Sequence, residues 1–176
     1  MLEIAVAYNR FKFLGDEFLT WLWFVIEQDL AVLKNADPDL TSFEIGSRMV
    51  LEKKYKKTVE RITIKAEDAG LAEARMALKN GALVTELNLV YRSAQHKWQF
   101  SLKGESLNLS SLQTPKIAPP ESPDEMEARV LEKIFLYDKI LQFLEKLYKH
   151  FIKLRTSNHW NSREISLIKK WLNAER

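Results

Sequence analysis

The 176-residue chain contains no cysteine. That excludes a disulfide framework, thiolate metal sites and a cysteine nucleophile, and it fits a reducing compartment. Glycine is nearly as scarce, at five residues, and none falls into a GxGxxG, GxxxxGK or GxSxG pattern, so neither a phosphate cradle nor a nucleophile elbow is indicated. The histidines, His96, His150 and His159, sit in no HxH or HExxH spacing. No metal, cofactor or small-molecule substrate is therefore expected. The longest apolar run near the start, Trp21 to Ile26, is far too short to cross a bilayer. Met1-Leu2-Glu3-Ile4-Ala5 lacks the basic start and apolar stretch of a secretory signal. The expectation is a cytoplasmic protein without membrane contact.

What is present is globular in kind. Hydrophobic residues make up 46% and charged residues 29%, enough for one domain with a real core plus some extra helix. The net charge is only +3, but its distribution is uneven. Lys53, Lys54, Lys56 and Lys57 surround Tyr55. From Lys146 onward, Lys146, Lys149, Lys153, Arg155, Arg163, Lys169, Lys170 and Arg176 face only Glu164 and Glu175. Such clusters suit a polyanion, and they also suit solvated helix faces and hairpin tips. Tyr55 is the exposed ring best placed to stack on a base; Trp23 and Trp98 lie among apolar neighbours and read as core.

Asp16 is an expected N-cap for a helix to about Lys34, with Leu19, Leu22, Ile26, Leu30 and Leu33 as its buried stripe and Thr20 and Glu27 on its polar side. Asn35-Ala36-Asp37-Pro38-Asp39 stops it. Two strands follow: one with Phe43, Ile45, Met49 and Leu51 inward and a bulge at Gly46-Ser47, and one over Thr58 to Ala66 with Ile62 and Ile64 inward. A short helix from about Leu71 ends at Lys79, before Asn80-Gly81. Leu83, Leu87, Leu89 and Tyr91 then share a strand face, as do Trp98, Phe100 and Leu102, and Leu107 and Leu109 suggest a last short strand.

Three prolines between Thr114 and Glu121 mark a linker. Beyond it, Ser122 as N-cap, Pro123 and Glu125 form a capping-box signature for a helix to about Arg155, roughly 50 Å long. Its Val130, Ile134, Tyr137, Leu141, Leu144, Tyr148 and Phe151 alternate spacings of four and three, a seam suited to a partner helix or a second subunit. Leu136, Ile140, Phe143, Leu147 and Leu154 form a second stripe, and a final helix begins near Asn161 or Ser162. The expected fold is α+β: a largely antiparallel sheet covered by helices, then a long C-terminal helix and a short terminal one. The expected division is a domain over 1–112, a linker over 113–121 and a helical segment over 122–176.

Pro38-Asp39 followed by Glu52-Lys53-Lys54 formally satisfies the PD…(D/E)xK spacing of metal-dependent nucleases, in which two carboxylates hold Mg²⁺. Pro-Asp is also a natural helix stop, and ExK arises readily in a lysine-rich chain.

Three segments occur in an informative order: Phe18-Leu19-Thr20-Trp21-Leu22-Trp23, then Asn80-Gly81-Ala82-Leu83-Val84-Thr85-Glu86-Leu87-Asn88-Leu89, then Trp98-Gln99-Phe100-Ser101-Leu102. In this order they resemble the later part of the recombination-associated RdgC family, over roughly residues 11–112. Family members are considerably longer, and Ala82 stands where they usually carry a lysine. The resemblance implies a non-catalytic homo-oligomer that binds duplex DNA without sequence preference, located at the nucleoid. The DNA-contact candidates, taken from charge rather than from the family, are Lys53, Lys54, Tyr55, Lys56, Lys57, Lys146, Lys149, Lys153, Arg155, Lys169 and Lys170. An interaction module without nucleic acid is the alternative, and a nuclease the third reading.

Overall fold

Alternating burial along four strands builds the centre of the fold. The computed structural model describes residues 14–56, 58–65, 68–94 and 96–174. Five strands, β1 (Leu40–Lys54), β2 (Val59–Lys65), β3 (Leu83–Ser93), β4 (His96–Lys103) and β5 (Leu109–Gln113), pair antiparallel in the order β2-β1-β3-β4-β5. The helices are α1 (Gly15–Gln28), α2 (Leu30–Ala36), α3 (Asp68–Lys79), α4 (Glu125–Arg155) and α5 (Ile165–Asn173), the last entered through a π-helical turn over Trp160–Glu164. The class is α+β, as the element pattern predicts. No helix among the described residues is long and apolar enough to cross a membrane.

One sheet face is apolar and turned to the helices. Tyr91 pairs with Trp98, Leu89 with Phe100 and Leu87 with Leu102, and all six are at most 2% exposed. The bulge expected at Gly46-Ser47 is present, since pairing jumps from Ile45–Leu89 to Met49–Leu87. Asn88 fills the gap: its Oδ1 accepts the Ser47 N–H at 3.1 Å and its Nδ2 donates to the Phe100 carbonyl at 3.2 Å. A Cβ on Gly46 would stand 2.1 Å from that Oδ1, so any larger residue there would displace the Asn88 amide. A second shift, between Val50–Glu86 and Leu51–Val84, reverses the alternation of β3. Val84 is therefore buried, and Leu83, expected inward, is 39% exposed.

Two helix starts differ from expectation. Leu14, not Asp16, is the N-cap of α1, and Asp16 falls in the first turn. The helix also breaks at Asp29, whose Oδ1 accepts the Val32 N–H at 3.2 Å and caps α2. The break turns Leu30 out to solvent. Ser122 is not the N-cap: α4 begins at Glu125, whose N–H goes to the Ser122 carbonyl at 3.2 Å and whose carboxylate accepts the Glu121 N–H at 3.1 Å.

α1 is apolar nearly all round, with Phe18, Leu19, Trp21, Leu22, Trp23, Phe24 and Val25 all buried, because α4 and α5 cover what the sheet does not. Phe18 meets Tyr148 and Phe151 of α4, with ring centroids 5.1 and 5.4 Å apart. Trp171 of α5 stands edge-on to Trp23 at 4.9 Å. The core on both sides of the proline-rich stretch is one cluster.

Glu27, expected on the polar side, sits at the centre of that junction. Its carboxylate accepts Trp23 Nε1 at 2.7 Å and Trp171 Nε1 at 2.8 Å, and it pairs with Arg75 of α3. Both charged side chains are only 10% exposed, and the Arg75 guanidinium lies 5.6 Å from the Trp171 ring. Three helices converge on one carboxylate. Removing it strands a buried guanidinium and two indole N–H groups, so Glu27→Ala is expected to cost about 3–5 kcal/mol in urea unfolding. Glu27→Leu combined with Arg75→Leu should cost less than Glu27→Ala, since no charge is then left unpaired. Equal losses for the two variants would contradict this account of the junction.

Candidate nucleic-acid interface

Lys53 and Lys54 end β1, and the turn that follows is closed by the Tyr55 N–H on the Thr58 carbonyl at 2.8 Å. Tyr55 is 50% exposed, its hydroxyl bonds Glu60 at 3.0 Å, and Lys53 Nζ lies 5.2 Å from its ring centre. Lys56 is exposed. The side chain of Lys54 and the whole of Lys57 lie outside the described residues.

The C-terminal cations do not form one surface, and several hold the fold. Lys146 donates to the Ala36 carbonyl at 3.0 Å, closing the end of α2. Arg155 pairs with Glu17 at 2.7 Å and lies over Trp160. Lys149 pairs with Glu145 along the helix. Lys153, Lys169 and Lys170 are exposed, on two different helices.

Of the seam expected to meet a partner, Leu144, Tyr148 and Phe151 are buried in the chain's own core and cannot face a second subunit. Val130, Ile134, Tyr137 and Leu141 are exposed. The second stripe, Leu136, Ile140, Phe143 and Leu147, is what seats α4 on the sheet. Trp23 and Trp98 are core residues: Trp98 donates its indole N–H to the Leu136 carbonyl at 3.0 Å, and neither ring is open for stacking.

The nuclease spacing does not converge. Asp39 precedes β1 and Glu52 lies near its far end, so an extended strand holds them about 40 Å apart, beyond any shared ion. Glu52 faces Arg61 instead, at 3.9 Å. Among the described residues no group of three or more His, Cys, Asp or Glu could hold a metal.

Charge reasoning missed the sheet's other face. Register places Arg48, Arg61, Lys65, Arg92, Lys97 and Lys103 there, against Glu44, Glu52 and Glu86. Glu86 takes Arg48 at 3.2 Å and Arg61 at 3.8 Å, and Glu44 takes Arg92 at 2.9 Å. A hydrogen bond with Ser42, then the Arg92 contact, hold the Glu44 carboxyl below its ordinary range against the opposing effect of burial. Lys65, Lys97 and Lys103 are exposed, and polar Thr63, Gln99 and Ser101 alternate with them. No described helix covers this face. Lys97 and Lys103 stand about 20 Å apart along β4. The signal was in the sequence: Arg61-x-Thr63-x-Lys65 and Lys97-x-Gln99-x-Ser101-x-Lys103 are the partners of the inward residues, but they are spread too thinly to register as a charge cluster.

Asp37 serves the fold. It accepts the Tyr91 hydroxyl, its Oδ1 accepts the Asp39 N–H at 2.9 Å, and Lys139 of α4 stands 3.6 Å away. Lys139 also donates to Ser93 Oγ at 3.1 Å. Burial pushes the Asp37 carboxyl up, but these donors together outweigh it and hold it below its usual value of 3.8. Burial, and then the Asp37 carboxylate, raise the Tyr91 phenol well above its ordinary range.

No family model, curated protein or solved structure matches the chain.

A carboxylate with a depressed folded-state pKa stabilises the fold above the unfolded pKa, and that stability is lost as pH falls through the folded value. Asp37→Asn should therefore be less stable than the native chain at pH 7. The gap should close as pH drops through about 4 and below. Urea midpoints measured from pH 7 to pH 2.5 test this, and a gap constant across that range would contradict it.

Proposed function

We propose that the protein is a non-catalytic, sequence-independent DNA-binding protein of the RdgC kind, cytoplasmic and nucleoid-associated. The observation that supports this most is the polar sheet face, where six cations stand against three carboxylates and Lys65, Lys97 and Lys103 are exposed. Such a surface suits a duplex backbone: Lys and Arg contact phosphates and release counterions, which gives affinity without reading bases. The Thr63, Gln99 and Ser101 side chains add phosphate hydrogen-bond donors. The hairpin tip, with Lys53, Tyr55 and Lys56, lies at the end of the same β1–β2 ladder and extends the basic surface. The ordered resemblance of three sequence segments to the RdgC family supports the same reading.

The expected behaviour is binding to unrelated duplexes with similar affinity, weakening steeply from 50 to 200 mM salt. Lys97→Glu with Lys103→Glu should lower duplex affinity at least about tenfold at 50 mM salt. It should also flatten the log–log salt dependence by about 2, roughly one unit per lost phosphate contact. Fluorescence anisotropy on two duplexes of different sequence reads both. Failure of the native chain to bind at low salt, or an unchanged affinity in the double variant, would sink this assignment.

A further inference from the structure

The β4–β5 ladder stops before β4 does. Pairing runs from Leu102–Leu109 to Gln99–Gln113, while β4 itself begins at His96. Continued in register, Pro115 would stand opposite Lys97, but proline has no N–H to donate to a ladder. The chain leaves the sheet at Thr114, and Ile117 returns it to the core, packed against the buried cluster. Between the start of β4 and this departing segment opens a cleft of about 440 Å³, within the range of small-ligand sites.

The lining of the cleft is one-sided in charge. Lys97 and Lys116 bring ammonium groups, Gln99 and Gln113 amides, Thr114 a hydroxyl and His96 an imidazole. Among the described residues that line it, none is acidic. Neither lysine is spent on the fold as Lys139 and Lys146 are. Both are exposed, and Glu44, the carboxylate that feels the charge of Lys97, is already paired with Arg92 at 2.9 Å. Gln99 is held by donating to Asn88 Oδ1 at 3.3 Å, and its amide carries a second N–H. His96 stands edge-on to Trp98, with ring centroids 5.8 Å apart.

We propose that this cleft is a binding site for a phosphate group, as carried by a phosphomonoester. A dianionic phosphate brings two charges and several acceptor oxygens, which two ammonium groups and a set of amide and hydroxyl donors satisfy together. A carboxylate would leave most of these donors unused. The volume beyond the phosphate admits the body of the ligand, against Pro115 and the exposed His96 ring. The donors are side chains rather than the backbone of a glycine-rich loop, so no sequence motif announces the site. A backbone phosphate of DNA offers the same chemistry, because Lys97 and Gln99 also belong to the polar sheet face. Lys116 lies beyond β5, off that face, and separates the two sources. The site itself does not rest on DNA binding.

Titration of the full chain with AMP at low salt, followed by amide NMR spectra, tests the site without any DNA present. Saturable shifts are expected at His96, Lys97, Gln99, Gln113, Thr114 and Lys116, with a dissociation constant of about 1 mM or tighter. Adenosine, which lacks the phosphate, should produce none. Lys116→Glu, at an exposed position in an irregular segment, should weaken AMP binding at least about tenfold while the circular dichroism spectrum stays native. Lys79→Glu, equally exposed but at the far end of β3 from the cleft, should leave it unchanged. Spectra unmoved by AMP at about 10 mM, equal shifts with adenosine, or an equal loss in Lys79→Glu would overturn the site. Duplex anisotropy then identifies the source of the phosphate, and either result keeps the site. Duplex affinity unchanged by saturating AMP and by Lys116→Glu assigns it to a free phosphomonoester; affinity lowered by both assigns it to the DNA backbone.

Discussion

The seating of α4 on the sheet governs what every other surface can be. The Trp98 indole donates to the Leu136 carbonyl at the point where the helix passes from solvent into the core. From there Phe143 packs edge-on to Phe43 and against Tyr91, and Phe151 reaches Phe18 and Trp160. This contact closes the apolar face of the sheet. On the other face the Lys65, Lys97 and Lys103 side chains remain exposed, and no described residue of the first three turns of α4 is buried.

Two buried polar knots hold that arrangement in register. Glu27 gathers α1, α3 and α5, while Asp37 gathers the end of α2, strand β3 and α4 through Tyr91 and Lys139. Hydrophobic burial alone is tolerant of small slides between helices, whereas a buried carboxylate accepts only the geometry that satisfies it. Lys139 and Lys146 show how cations near a C-terminal basic cluster can be consumed by the fold. Both are spent on the end of α2, which removes them from any ligand surface.

Much of this was legible in the amino-acid order. The bulge at Gly46, the helix stop at Gly81, the inward trio Trp98, Phe100 and Leu102, and the α+β class all follow from periodicity and turn chemistry. The errors share a cause, which is that local pattern leaves competing partners unresolved. Leu30 fits the helical stripe, but the Asp29 side chain offered the backbone an alternative cap. Leu83 fits the strand alternation, but a pairing shift two residues away reversed it. In α4 both stripes were correctly seen. Heptad spacing favours the first stripe as a seam, yet the chain's own core buries Leu136, Ile140, Phe143 and Leu147 of the second together with the C-terminal half of the first, Leu144, Tyr148 and Phe151.

Taken alone, the sequence determined which residues are apolar, where the chain turns, and that no cysteine or glycine-rich chemistry is available. Tertiary structure decided which of two plausible faces is buried and which cations remain free. A periodicity of two or 3.6 defines faces relative to one another, whereas the choice between them depends on contacts with residues distant in the chain. For that reason the basic sheet face, assembled from cations spaced singly along four strands, became visible only once the strands were paired.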